Sequence, residues 1–277
     1  ISETITNQNT TRTEGGNGPY RRKMVVLDDD PTGVQTVHGL YVYTDWERET
    51  LLQGLRSEQP MFFVLTNSRG FTAEETERAH QEIGKNLAWA AFVLISRGDS
   101  TLRGHYPLET ETLRQTLERE LETCYDGEII MPYFQEGGRL TIGDVHYVKM
   151  GEQLVPAGMT EFAKDTTFAY TSSDLKDWCQ ERTGGRYRAE EMVSISLEEL
   201  RALDYPGITR KLMGVSGFQK VVVNAADDLD VEVFVTALMA ALNQGKQFLY
   251  RCAAGLVRVM GGVEHRPLLG RAELRDR

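Results

Sequence analysis

Cysteine is scarce in this 277-residue chain, and its three copies, Cys124, Cys179 and Cys252, lie far apart. Their odd number and spacing speak against a disulfide framework, a Cys-x-x-Cys redox pair and a zinc site. Such usage fits a reducing compartment, and a cytoplasmic location is expected. Long apolar runs are missing too: none approaches the roughly 18 residues of a membrane helix, so no membrane partner is expected. The opening Ile1-Ser2-Glu3-Thr4 has neither an initiator Met nor the basic-then-apolar pattern of a secretory signal. In a cytosolic chain the sequon Asn9-Thr10-Thr11 is a chance match. Basic residues are outnumbered, 31 Lys and Arg against 41 Asp and Glu, which leaves a formal net charge of -10. An acidic surface disfavours nucleic acid and anionic lipid, so no nucleic-acid partner is expected. It leaves room for a small anion, because a few arginines in one pocket reverse the local field. Three signatures are also absent: the GxxxxGK[ST] phosphate loop, GxGxxG after a strand, and the GxSxG elbow. Their absence speaks against a self-sufficient P-loop kinase and a dinucleotide oxidoreductase.

What is present is a chain that can pack. Hydrophobic residues make up 40% and charged residues 26%, enough for one large α/β domain or two modest ones. Residues 1–22 are polar and aperiodic and read as a tail or linker. After them, apolar runs alternate with amphipathic stretches. Met24–Leu27, Leu40–Tyr43, Met61–Thr66, Phe92–Ser96, Glu128–Met131, Val193–Ile195, Val221–Asn224 and Phe248–Arg251 read as strands, several of them short continuous runs of the doubly covered kind. Thr72-Ala73-Glu74-Glu75 and Ser196-Leu197-Glu198-Glu199 are capping boxes, in which the hydroxyl takes a free backbone N–H and the Glu reaches back. Pro107 suits the first turn of a helix carrying Leu113, Leu117 and Leu121. Asp228 or Asp230 would cap a helix with Val231, Phe234, Val235, Leu238 and Leu242 on one stripe. The alternation predicts an α/β fold: a mostly parallel, doubly wound, Rossmann-like sheet with helices on both faces and an irregular insertion. The domain is expected over residues 23–260. Within it, 137–190 is less regular, either a hairpin-bearing insertion or a lobe beside the sheet. Residues 261–277 turn polar and read as an exit segment.

In open parallel sheets, ligands sit outside the carboxyl ends of the strands. The segments there are Asp28-Asp29-Asp30-Pro31-Thr32-Gly33, Asn67-Ser68-Arg69-Gly70, Arg97-Gly98-Asp99-Ser100-Thr101-Leu102-Arg103-Gly104, Pro132 through Arg139, Ala225-Ala226-Asp227-Asp228, and Arg251. Acids, hydroxyls and arginines thus recur at one predicted edge, a set suited to gripping a polyhydroxylated anion. Carboxylates accept from hydroxyls, arginine offers a planar fork to a carboxylate, and glycine permits close backbone approach. Blander roles compete. Ser100 or Thr101 would cap a following helix, Arg103 and Arg139 would pair on the surface, and Asp227-Asp228 would begin a helix. His38, His105 and His146 show no metal spacing, and no metal ligand is assigned.

Three of these strings, taken in order, resemble the N-terminal domain of the four-carbon acid sugar kinase family. They are Asp29-Asp30-Pro31-Thr32-Gly33, Asp99 through Gly104, and Pro132 through Thr141 followed by Asp144-Val145-His146-Tyr147-Val148. The resemblance runs from Lys23 to Leu269, with Arg251-Cys252-Ala253-Ala254 as its closing element. Pro31 stands where many members carry Leu, and Gly255-Leu256 replace a common Ser-Phe. The resemblance implies a domain that holds a small anionic sugar acid of the threonate or erythronate type. A C-terminal nucleotide-binding domain, a partner not present in this chain, would supply ATP and Mg2+ for phosphorylating the terminal hydroxyl. Asp29, Asp30 and Asp99 are the expected catalytic acids. Thr32, Ser68, Arg69, Arg97, Ser100, Arg103, Gly104, Arg139 and His146 are the expected substrate contacts, with Arg103 and either Arg69 or Arg139 on the carboxylate. Whether the chain forms a homo-oligomer is left open. Two rivals stand beside this reading. One is a haloacid-dehalogenase-like Mg-dependent phosphatase, with Asp28 as nucleophile and Asp30 as acid/base. The other is a non-catalytic sugar-acid-binding module.

Overall fold

The structure, a computed structural model, describes residues 22–266. The tail expected over residues 1–22, apart from Arg22, and the exit segment beyond residue 266 lie outside the described residues. Eight strands form the main sheet. They are β1 (Lys23–Asp28), β2 (Val42–Tyr43), β3 (Met61–Leu65), β4 (Phe92–Arg97), β5 (Gly127–Met131), β9 (Val193–Ile195), β10 (Gln219–Val223) and β11 (Phe248–Cys252). Every pairing among them is parallel, in the order β2-β3-β1-β4-β11-β5-β10-β9. Three further strands, β6 (Arg139–Ile142), β7 (Val145–Met150) and β8 (Gln153–Pro156), form a separate antiparallel sheet.

Both faces of the main sheet are covered, because alternate residues of a strand point to opposite sides. Met24, Val26, Ile95, Val221 and Val223 pack under α5 (Leu197–Arg201), α6 (Tyr205–Gly214), α7 (Asp228–Asn243) and α8 (Ala254–Met260). Val25, Leu27, Phe62, Val64 and Leu94 pack on the other face, under α1 (Arg48–Arg56), α2 (Ala73–Leu87) and α3 (Leu108–Leu121). This is the doubly wound α/β fold that the alternation predicts. Both expected capping boxes form, at Thr72 with Glu75 and at Ser196 with Glu199. The third helix differs from expectation in its cap: Asp227, not Asp228 or Asp230, caps α7, and Asp230 completes the box. Pro107 sits one residue earlier than expected, as the N-cap of α3. Ser100 and Thr101 cap no helix, since α3 begins only at Leu108. Helix α1 has no counterpart in the sequence reading, because Glu47 at its start makes no side-chain cap bond and so leaves no signal.

The irregular stretch 137–190 is a lobe beside the sheet, built on β6–β7–β8 and α4 (Leu175–Arg182). The β6–β7 hairpin turns at Gly143 and Asp144, whose φ values of 60° and 65° are those a two-residue type I′ loop demands. The lobe packs onto the sheet through its own core, where Trp178 stacks on Tyr106 with ring centroids 4.6 Å apart, beside Ile130 and Val222.

Candidate functional site

From β1 the chain moves outward to the edge strand β2, steps back to β3, and then crosses to place β4 on the other side of β1. Strand order reverses there, and the segments after β1 and β4 diverge to opposite sides of the switch point, the usual ligand position in such sheets. Strand β11, last in sequence, is inserted between β4 and β5, so Arg251 also arrives at this point.

Just beyond β3, Asn67 takes a left-handed conformation (φ 55°) and turns the chain into a short 3-10 turn over Ser68–Gly70. This brings Arg69 back over the end of β1. Its guanidinium forks onto Asp29, donating at 2.7 Å and 3.2 Å, and gives a third bond to Asp30 at 3.1 Å. Burial and the neighbouring Glu109 push the Asp29 carboxyl upward, against the charges of Arg69 and Arg251. Asp30 is held low: its partial burial is outweighed by bonds from the Thr32 hydroxyl and backbone. On the opposite face of the sheet Asp28 pairs with Arg97 at 3.2 Å. Burial pushes Asp28 up to about 7 despite that partner. A Cβ on Gly33 would fall 1.8 Å from the Asp28 carboxylate, so only glycine lets this loop close over it.

After β4 the chain folds on itself. Asp99 accepts from Arg103 Nε at 2.7 Å and from the Thr101 hydroxyl. Burial alone would raise Asp99, but the Arg103 bond and the charge of Arg69 outweigh it and hold it at about 2. Leu102 (φ 70°) and Gly104 (φ 115°) allow the tight return. Gly104 and Gly98 make room for Arg251: a Cβ on either would lie 2.9 Å or 2.0 Å from its guanidinium. Arg251 donates to Glu109 at 2.9 Å and to the Arg103 carbonyl at 3.0 Å, while Ser68 donates to the other Glu109 oxygen at 2.8 Å.

The lobe supplies the remaining wall. Arg139 opens β6, half-buried, and bonds the Gly137 carbonyl. Its buried Nε has no hydrogen-bond partner, and no carboxylate pairs with it, among the described residues. Burial pulls its pKa down, the charge of Asp99 opposes this, and that of Arg103 adds to it. Phe162 lies against both arginines, its ring centroid 5.1 Å from the Arg103 guanidinium carbon and 5.7 Å from that of Arg139. Behind them His146 is fully buried and bonds Thr141 at 2.9 Å and the Ser100 carbonyl at 2.8 Å. Burial lowers its pKa to about 4, so the ring is neutral. Tyr170 donates to the Thr101 carbonyl at 2.8 Å.

The residues expected at the site therefore meet on one side of the molecule. Arg69 bonds Asp30 and feels the charge of Asp99, and Asp99 in turn acts on Arg139. They meet in layers. Asp30, Arg69, Asp99, Arg103 and Arg139 keep partial exposure. Arg97, Ser68 and His146, also expected as substrate contacts, are buried behind them with their bonds directed inward. Thr32 serves Asp30, Ser100 offers its carbonyl to His146, and Gly104 yields space to Arg251. Three participants escaped the sequence reading. Glu109 sits inside a helix, Phe162 lies in the irregular lobe, and Asp165, which approaches Arg103 at 3.8 Å, looks like any loop acid. Arg251 stood at a strand end and was legible there.

Arginines and carboxylates converge at the switch point of a parallel sheet, where domains of this fold class hold their ligands. Residues 24–260 match the family of the sugar-binding N-terminal domain, and the chain belongs to that family. Solved structures share the fold. A Bordetella bronchiseptica protein, described as a domain of unknown function (DUF1537) with bound citrate and as a domain-swapped dimer, is 21% identical. It superposes with a TM-score of 0.62 over 86% of this chain and 55% of that one. A Haemophilus influenzae DUF1537 protein is 17% identical, with a TM-score of 0.62 over 86% of this chain and 55% of that one. A Salmonella typhimurium protein carrying the name of a tRNA synthase is 16% identical, with a TM-score of 0.64 over 87% and 55%. The chain thus spans about 55% of the length of the structures it matches. No curated protein matches the sequence. Among the described residues no helix is long and apolar enough to cross a membrane.

Proposed function

We propose that this chain binds a four-carbon sugar acid of the threonate or erythronate type and presents its terminal hydroxyl for phosphorylation. ATP and Mg2+ are supplied on a separate C-terminal nucleotide-binding domain. The observation that carries this reading is Arg139. Four arginines of the site are neutralised within the chain: Arg69 by Asp29 and Asp30, Arg97 by Asp28, Arg103 by Asp99, and Arg251 by Glu109. Arg139 is left with a half-buried cationic fork and no carboxylate among the described residues, which is the complement of a ligand carboxylate. Arg103 is tied to Asp99 at 2.7 Å through Nε and has Asp165 3.8 Å from Nη1, so Nη2 is the group it offers to the same carboxylate.

The acids then serve the hydroxyls. Asp99, held at about 2, stays an acceptor and is too weak a base to hold a proton. Asp30, its side chain 26% exposed, is the carboxylate at the rim and takes the hydrogen bond of the attacking hydroxyl. Phosphoryl transfer is chiefly positioning and charge neutralisation, so no stronger base is required. Among the described residues no group of His, Cys, Asp and Glu has the arrangement of a metal site, and no magnesium ligand is assigned to this chain. The citrate-bound relative gives the reading support by analogy, since citrate is also a hydroxy acid. The phosphatase alternative asks Asp28 to attack a phosphate, yet Asp28 is 1% exposed and paired with Arg97 beneath the Gly33 loop.

Calorimetric titration with erythronate and threonate tests the proposal. Binding by the wild-type chain, lost in Arg139→Ala with folding intact, is the expected result. No heat with any four-carbon acid, or unchanged affinity in Arg139→Ala, overturns it. The chain alone should release no ADP from ATP. Turnover that appears only when a nucleotide-binding domain is added separates the kinase half from a binding module without catalysis.

A further inference from the structure

Two cationic groups stand side by side at the ligand face, and only one of them has a carboxylate. Arg103 is anchored by Asp99, whereas Arg139 is held by a single carbonyl and repelled by Arg103. What lies against both is Phe162, at 5.1 Å and 5.7 Å from the two guanidinium carbons. Aromatic faces attract cations at these distances. We propose that Phe162 is a positioning residue: its ring holds the guanidinium groups of Arg103 and Arg139 together against their repulsion, so that both present N–H groups to one carboxylate.

The ring is well placed for this. It belongs to a 3-10 turn over Glu161–Lys164, pinned at both ends. Before it, the Thr160 hydroxyl donates to the Ala157 carbonyl at 2.6 Å, and after it Tyr170 N–H donates to the Ala163 carbonyl at 3.1 Å. Asp165 takes the backbone N–H groups of Thr167 and Phe168 at 2.8 Å and 3.0 Å and faces Arg103 at 3.8 Å. Phe162 itself is partly buried and packs against the lobe core, the cluster that contains Tyr106, Tyr170 and Trp178. The lobe thereby couples its own packing to the geometry of the anion seat, and the selection it exerts is for the acid over the uncharged polyol of equal length.

This inference rests on the carboxylate reading above, and its test has an arm that does not. In the ligand-bearing arm, Phe162→Leu keeps apolar bulk but removes the π face. Its affinity for erythronate or threonate should fall about tenfold, while weak binding of erythritol is unchanged, and Phe162→Tyr should restore the acid. In the ligand-free arm, urea unfolding of Phe162→Leu, Arg139→Met and the double variant should be non-additive by at least about twofold in the unfolding constant. Wild-type acid affinity in Phe162→Leu, equal loss for acid and polyol, or failure of Phe162→Tyr to rescue overturns the positioning role. Additive unfolding overturns the contact even if no sugar acid binds; coupling without any acid binding sinks only the substrate assignment.

Discussion

At the scale of single residues, two polar side chains on one face serve opposite purposes. His146 and Arg139 are neighbours on the inner face of the small sheet, and both were read from the sequence as ligand contacts. Arg139 retains an unmatched charge, whereas His146 spends both ring nitrogens inside the protein. The histidine can be tested through pH. Its burial moves the pKa from 6.5 down to about 4, so the unfolded chain takes up a proton that the folded chain refuses. Stability from this group is fully present above about pH 6.5 and is lost as pH falls toward 4, by roughly 3 kcal/mol in all. His146→Gln should therefore be less stable at neutral pH yet show a shallower decline between pH 7 and 4.5, measured as urea midpoints. Parallel declines would show that His146 does not titrate as described. Which polar residue faces outward was not legible in the string: Ser68 and Arg69 are adjacent, yet one bonds a helix glutamate and the other forks onto Asp29.

At the scale of elements, the two Ser/Thr capping boxes and the lobe over 137–190 follow the sequence, whereas the caps expected at Asp228 or Asp230 and at Ser100 or Thr101 do not. The capping boxes are local chemistry, with partners three residues apart, so they survive any tertiary arrangement. Ser196→Ala should cost about 1 kcal/mol, read from equilibrium unfolding. No measurable change would mean that α5 draws its stability from packing alone. The segment after β4 is the contrary case. Asp99-Ser100-Thr101 looked like a helix cap, but the chain makes a compact return through Leu102 and Gly104 before α3 begins. Its shape depends on Arg251, which reaches in from a strand about 150 residues later and fills the space beside Gly98 and Gly104. Gly98→Ala should displace Arg251 from Glu109 and lower both stability, by about 1–3 kcal/mol, and sugar-acid affinity. A variant with wild-type unfolding and binding would show that the guanidinium has room to move.

At the scale of the whole molecule, charge is buried far from the ligand face as well. Lys220 and Glu128 are both fully buried and pair across adjacent strands β10 and β5 at 2.6 Å. Tyr187 and Phe218 lie 3.9 Å from the ammonium, and Glu111 lies 3.6 Å away. The pair joins the sheet to α3 and, through Tyr106 and Cys179, to the lobe. Lys220→Met should cost about 3–5 kcal/mol by leaving Glu128 buried without its cation, and adding Glu128→Leu should recover much of that loss. Equal destabilisation in the single and double variants, by urea unfolding, would refute this account. Strand and helix alternation, the capping boxes at Thr72 and Ser196 and the set of acids and arginines at strand ends are legible in the chain alone, because each is written within a few residues. Strand order, the insertion of β11 between β4 and β5, and the docking of the lobe are not legible there and emerge on folding. Those depend on contacts between segments remote in the chain, and they settle which charges are cancelled and leave Arg139 open beside Phe162.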